Sequence, residues 1–154
     1  MKKKNIFLLL LLLITSMTTA CGVDNNKSLS SVEEDMIKIT DFHNMKKATN
    51  KDIRRFYNIN IHDYDEVILY KPKSTMDVNE VLMVKVSDKS QINSLKDSID
   101  SRITYQLNSF GSYGPKQCAL VDNYQLKSKS NFLIFAISEN AEEIKDAFLD
   151  SISK

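Results

Sequence analysis

The chain has 154 residues, with 21 basic and 20 acidic side chains and a formal net charge of +1. That length suits one domain with a core large enough to fold without staples. A balance so near neutrality excludes the basic footprint of a nucleic-acid binder, and two cysteines in all exclude a disulfide framework.

Met1-Lys2-Lys3-Lys4 places three cations before an unbroken apolar run from Ile6 to Ile14, and small or polar residues follow to Ala20. This is the charged start, apolar middle and cleavage region of a secretory signal peptide. It is shorter than the roughly 20 apolar residues that span a bilayer. The small and polar stretch after the apolar run leads directly to Cys21. Met17-Thr18-Thr19-Ala20-Cys21 resembles the lipobox of bacterial lipoproteins, which implies diacylglyceryl transfer to the Cys21 thiol and cleavage between Ala20 and Cys21. Leu is the usual residue where Thr18 stands. Lipidation would hold the mature protein on the extracytoplasmic face of the cell membrane by more than one acyl chain. Loss of Lys2, Lys3 and Lys4 takes the basic residues from 21 to 18 against 20 acidic ones, a mature net charge of −2. Lysine outnumbers arginine heavily, and Asn and Ile are abundant, which fits the AT-rich genome of a low-GC Gram-positive bacterium. The expected organisation is a removed signal over 1–20, lipidated Cys21 with a flexible polar tether over 21–29, and one domain over 30–154.

Within that domain, Ser30 with Glu33, or Ser31 with Glu34, has capping-box spacing. Val32, Met36, Ile39 and then Phe42 or His43 recur at helical spacing. Thr49 and Asp52 are spaced to cap a second, short helix to Asn58, with Ile53, Phe56 and Tyr57 inward. "DEVILYKP" and "NEVLMVKVS" read as strands joined by a loop over Lys71–Asn79. In the long segment after Asp88, Ile92, Leu95, Ile99, Ile103 and Leu107 form one helical stripe ending at Gly111. Asp88 and Gln91 are its expected caps. Pro115 to Val121 allows one or two helical turns. "NYQLKSKS" and "NFLIFAIS" read as a second hairpin, and Ala141, Ile144, Phe148 and Ile152 align on a closing helix.

The order strand-strand-helix-strand-strand-helix predicts an α+β fold: a four-stranded antiparallel sheet preceded by one or two N-terminal helices. Phe132 to Ile137 is an unbroken apolar run, so that strand is expected in the sheet centre and covered on both faces. Residues 30–57 are the candidates to cover the second face.

Tyr57-Asn58-Ile59-Asn60, the strands "EVILYKP" and "NEVLMVKVSD", a long helix with Arg102 at its centre, and Tyr113-Gly114-Pro115-Lys116-Gln117 occur in this order. This layout resembles a family of small bacterial lipoproteins known as domain-of-unknown-function family 4358, over most of residues 30–152. The family pattern often has glycine where Asn58 stands and aspartate where Asn60 stands; both asparagines suit a turn. The resemblance implies export, lipid anchoring and an α+β shape. It lends no catalytic residue.

Chemistry-bearing residues are sparse. His43, His62 and Cys118 contain the elements of a nucleophile and base, yet Cys118 sits in "QCALVD" among apolar neighbours and reads as a structural thiol. His43 reads as a half-buried packing residue of the first helix. His62, Asp63, Asp65 and Glu66 gather one imidazole and three carboxylates, but lack the glycine and acidic spacing of a calcium loop. Lys71, Lys73, Lys127 and Lys129 stand at strand ends, where lysine deters edge pairing or meets anionic headgroups. Arg102 is expected to pair with Glu80. No glycine-rich phosphate loop, Gly-x-Ser-x-Gly or His-Glu-x-x-His occurs in the sequence. The resulting expectation is a non-enzymatic binding or interaction module of the cell envelope. It calls for no cofactor, metal or nucleic acid; its partners are the membrane, through the lipid on Cys21, and an envelope protein or wall component. Tyr105, Phe110 and Tyr113 are the expected edge of the interaction patch. The alternative is a small-ligand-binding or metal-dependent cell-wall enzyme.

Overall fold

A computed structural model describes residues 22–153 of the chain. The signal peptide, the Ala20–Cys21 cleavage site and Cys21 itself lie outside the described residues. Among those described, five α-helices and five strands form an α+β fold. In chain order they are α1 (Leu29–Ile37), β1 (Met45–Lys47), α2 (Asn50–Tyr57), β2 (Glu66–Pro72), β3 (Glu80–Lys85), α3 (Gln91–Phe110), α4 (Pro115–Asp122), β4 (Gln125–Lys129), β5 (Phe132–Ile137) and α5 (Ala141–Ile152). A single 3-10 turn, Ile61–Asp63, links α2 to β2. The sheet is antiparallel throughout, in the order β1-β2-β3-β5-β4.

The sheet therefore has five strands rather than the four read from the sequence. The extra strand, β1, pairs Met45 with Pro72 and Lys47 with Tyr70 at the β2 edge. Three residues, two of them lysine, are too few to show a period of two. The first helix is shorter than its periodicity suggests for the same stretch. It stops at Ile37, and both the backbone N–H and the hydroxyl of Thr40 donate to the Met36 carbonyl, at 2.8 and 2.9 Å. Ile39 is then exposed, and His43 sits in the following turn against Asp41, exposed rather than half-buried in a helix. Its N-cap is Ser28, whose side chain accepts from Ser31 N–H, in place of the expected Ser30 or Ser31. The Thr49–Asp52 capping box on α2 forms in full, and Asn58 closes that helix in the left-handed region, where asparagine is tolerated. At α3 the Gln91 side chain accepts from Ser87 and Asp88 N–H, while the helix itself begins after Ser90 without a side-chain cap.

Alternation along the strands divides the core in two. Leu69, Leu82, Val84, Leu133, Phe135 and Ile137 face α2, α3 and α4, and they pack against Ile53, Tyr57, Leu95, Ile99 and Phe110. Ile68, Val81, Met83, Phe132, Ile134 and Ala136 face α1 and α5, and they pack against Leu29, Val32, Met36, Ile144 and Phe148. Strand β5 lies between β3 and β4 and is buried at all six positions, as its unbroken apolar run predicts. The second face is closed by α1 with α5; α2 joins α3 on the opposite side.

The polar segment before α1 is docked on the domain. Asp24 N–H donates to the Ile152 carbonyl at 3.0 Å, and Lys27 Nζ reaches both Asp35 at 2.8 Å and the Ser151 carbonyl at 2.9 Å. A lysine at the C-terminus of α5 also complements the helix dipole. These contacts reach into residues 21–29, whose polarity suggested a flexible tether.

Phe135 is fully buried and meets Tyr57 and Tyr124 edge-on or tilted, at ring separations of 6.3 and 5.7 Å. Phe135→Ala is expected to lower stability by about 3–5 kcal/mol through lost burial and a residual cavity. Urea denaturation checks it: the midpoint should fall with little change in slope.

Candidate functional site

The most built feature outside the core is a cleft of about 1060 Å³. It runs between α3 on one side and α2 with the β1–β2 end of the sheet on the other. Its size is at the upper end of the range for small-molecule pockets. Beneath its floor, behind the lining residues Tyr57 and Arg102, lies Glu80, the first residue of β3, which has 0% of its surface exposed. Strand parity turns Glu80 to the same side as Leu82 and Val84, toward α3.

Three partners surround that carboxylate. Arg102 donates to it from Nε at 3.0 and 3.2 Å and from Nη2 at 2.7 Å, as the sequence suggested. Tyr57 donates its hydroxyl to Oε1 at 3.1 Å. The forked Arg–carboxylate geometry is the strong form of such a pair. Arg102 also stacks over Phe56, 4.2 Å from the ring centroid, and lies 5.7 Å from the Tyr105 ring. Burial and the Glu80 charge hold the Tyr57 phenol well above its ordinary range. Burial alone would lower the Arg102 guanidinium, but the hydrogen bonds and charge of Glu80 outweigh it and raise it further. Tyr57 and Arg102 are thus both moved away from neutrality, the reverse of what a general acid or base needs.

The α3 wall is a stripe of hydroxyls. Ser94, Ser98, Ser101, Tyr105 and Ser109 all line the cleft, and their spacing puts them on one face of the helix. Ser101 and Ser109 donate to the carbonyls of Asp97 and Tyr105, at 2.9 and 2.8 Å. The opposite wall is basic, with Lys46, Arg55, Lys71 and Lys73. Lys71 is bound to Asp52 at 2.7 Å, and Arg55 reaches the same carboxylate at 3.4 Å. Asp52 is held below its ordinary range chiefly by Lys71, then by Thr49.

Of the expected patch, Tyr105 and Tyr113 are 65% and 60% exposed and stand at the cleft. Phe110 also lines the cleft but is only 5% exposed, lying beneath Tyr113 with ring centroids 5.7 Å apart. The close of α3 explains this. Gly114 lies so near that an added Cβ would stand 2.9 Å from Phe110 Cδ1, so the chain folds down over that ring. Sequence reasoning missed Gln106. It is 3% exposed, lines the cleft, and its Nε2 has no hydrogen-bond partner among the described residues. The apolar stripe of Ile99, Ile103 and Leu107 hides it. Helix α3 actually buries Ile99, Arg102, Gln106 and Phe110, whereas Ile103 and Leu107 are half-buried.

The other candidates are dispersed. Asp63 accepts from Asn60, Asp65 accepts from Ser87, and Glu66 caps the Leu29 N–H at the start of α1, while His62 is exposed. Among the described residues, no three His, Cys, Asp or Glu side chains come together in a group able to hold a metal. Cys118 is a half-buried thiol against the α3-side core, and neither histidine shares that core. Lys73 donates to the His43 carbonyl and Lys129 to Ser153, so these strand-end lysines serve local structure. No helix among the described residues is long and apolar enough to cross a membrane.

Fold and site together define a small α+β domain with a tyrosine-flanked, basic-walled cleft above a self-neutralised floor. Residues 38–138 match the family described as Domain of unknown function (DUF4358), and the chain belongs to that family. The matched span runs from the end of α1 to the end of β5. It contains the whole sheet and the cleft, and it leaves α1 and α5 outside. No curated protein and no solved structure matches the chain.

Arg102→Met should cost about 3–5 kcal/mol, because it strands the Glu80 charge in the interior. The double variant Arg102→Met with Glu80→Leu should recover much of that loss, and a double-mutant cycle by urea denaturation measures the coupling. The acid limb of stability is a second test. Because the Asp52 carboxylate has a folded pKa below the ordinary 3.8, its pair with Lys71 contributes fully above that value. The contribution is lost as pH falls through the lower folded pKa. Asp52→Asn is therefore expected to flatten the fall in urea midpoint between about pH 5 and about pH 2. Asp35, depressed chiefly by Lys27, retains part of the slope.

Proposed function

We propose that this protein is a lipid-anchored binding module of the bacterial cell envelope, held on the extracytoplasmic face by Cys21 and working through the α3 cleft without chemical turnover. The observation that carries this reading is the pairing of an open cleft and exposed Tyr105 and Tyr113 with a floor whose charged groups neutralise one another. Rigid aromatic side chains at a cleft margin supply contact area at low entropic cost. The Glu80 carboxylate is already met by Tyr57 and by Arg102 Nε and Nη2, which suits a scaffold better than a proton-transfer site.

The docked N-terminal segment supports close attachment. Asp24 is already bonded to the end of α5, so only Gly22 and Val23 separate it from Cys21. Fully extended, that stretch reaches about 11 Å. The domain would therefore ride against the headgroup layer rather than on a long leash.

The test uses full-length protein in its own membranes. Metabolic labelling with an alkyne fatty acid should mark the wild-type chain and leave Cys21→Ala unmarked and released from the membrane fraction. Photo-cross-linking from a probe residue placed at Ser109 should give a discrete adduct that is lost in Tyr105→Ser/Tyr113→Ser. Labelling that survives Cys21→Ala would refute the anchor. Adducts indifferent to both tyrosines would refute the cleft as the binding surface.

A further inference from the structure

Gln106 is the one feature of the cleft that the fold does not explain. A primary amide that is 3% exposed, with no partner for its nitrogen, is a destabilising element in a packed helix face. Leucine at this position would extend the apolar face of α3 and remove the unmet group. Beside Gln106, one helical turn earlier, Arg102 commits Nε and Nη2 to Glu80, and Nη1 makes no hydrogen bond to any described residue. Two planar donor groups on successive turns of one helix are therefore unspent at the floor of one cleft.

The walls narrow what would use them. Lys46 and Lys73 line the basic wall with no carboxylate within salt-bridge reach among the described residues; Lys73 gives one hydrogen to the His43 carbonyl and keeps its charge unpaired, and Arg55 shares Asp52 with Lys71. Two carboxylates also border the cleft. Asp77 is committed to the loop, accepting from Val78 and Asn79 N–H at 2.7 and 3.2 Å, whereas Asp97 is exposed on α3. The anion-seeking side is thus the sheet wall and floor. The α3 wall asks for something else. Ser101 and Ser109 have spent their hydrogens on helix carbonyls, which leaves their oxygens as acceptors for hydroxyl donors. The rings of Tyr105 and Tyr113 offer flat apolar faces.

We infer that the cleft binds an acidic glycan: a sugar ring lying against Tyr105 and Tyr113, its hydroxyls donating to the α3 serines, and its oxyanion on the Gln106 amide and Arg102 Nη1, flanked by Lys46 and Lys73. This deepens the binding-module reading and rests on it. Carboxylate and phosphate substituents share the required chemistry, since both present paired oxygens to planar donors.

Calorimetry on the full-length protein in neutral detergent tests the assignment. The probes are a galacturonic acid trimer, a phosphate-bearing oligosaccharide, a neutral oligosaccharide of the same length, and a glutamate trimer. One or both acidic sugars should bind, at least about tenfold more tightly than the neutral sugar and the glutamate trimer. Which acidic sugar is preferred identifies the oxyanion. Gln106→Leu should weaken that binding by about tenfold or more while leaving the melting temperature unchanged or raised. Lys46→Ala/Lys73→Ala should weaken it at low salt and flatten its salt dependence. Equal binding of neutral and acidic sugars would overturn the oxyanion assignment and leave the binding module standing. Failure of every probe, or a Gln106→Leu protein that binds normally or melts early, would overturn the inference itself. The tyrosine-dependent cross-link then judges the binding-module reading separately.

Discussion

A carboxylate with no exposed surface stands at the first position of β3, and the α3 side of the molecule is organised around its needs. Glu80 cannot remain ionised in that setting without compensation, and the compensation comes from two different helices. Arg102 supplies the charge from the middle of α3, and Tyr57 supplies a hydroxyl from the last turn of α2. Meeting those distances brings both helices to one end of the same strand. The space left between them, roofed by neither, is the cleft. Its location is thus a by-product of satisfying one buried charge.

That network sits on a frame with little freedom. Strand β5 is apolar at every position because alternate residues serve different layers. Leu133, Phe135 and Ile137 serve the α2–α3–α4 layer, and Phe132, Ile134 and Ala136 serve the α1–α5 layer. A shift of one residue in its pairing would exchange the two sets and mismatch both layers at once. The register Leu82↔Phe135 and Glu80↔Ile137 is held in this way, which in turn fixes where Glu80 emerges beneath α3. Packing on both sheet faces and the position of the cleft floor are therefore one constraint.

The long elements were readable because each carries its own local signature. Thr49 with Asp52 spells a capping box within four residues. The closing helix shows its inward positions at regular spacing, the first hairpin shows β-branched runs, and the second shows the unbroken apolar run of β5. The pairing of Arg102 with Glu80 was readable for a similar reason, since a cation near an apolar helix stripe needs a counter-charge. The burial of Phe110 and the presence of Gln106 in the cleft were not legible because α3 turns its buried face slightly away from the one its isoleucines mark. Ile103 and Leu107 end half-buried, while Arg102, Gln106 and Phe110 go inward. The rotation is set by the reach to Glu80, a residue 22 positions away in sequence.

From the sequence alone came the kind and order of the long helices and strands, and the two-sided burial of β5, because these depend on periodicity and caps among near neighbours. Only the tertiary structure decided the rest. Strand β1 exists because the β2 edge offers it hydrogen bonds; its own three residues do not demand a strand. The docking of residues 24–27 depends on where α5 ends. The Gln106 Nε2 is without a partner among the described residues because the surrounding elements converge with no acceptor in place. Each of these is a relation between segments distant in the chain, and such relations have no local pattern to announce them.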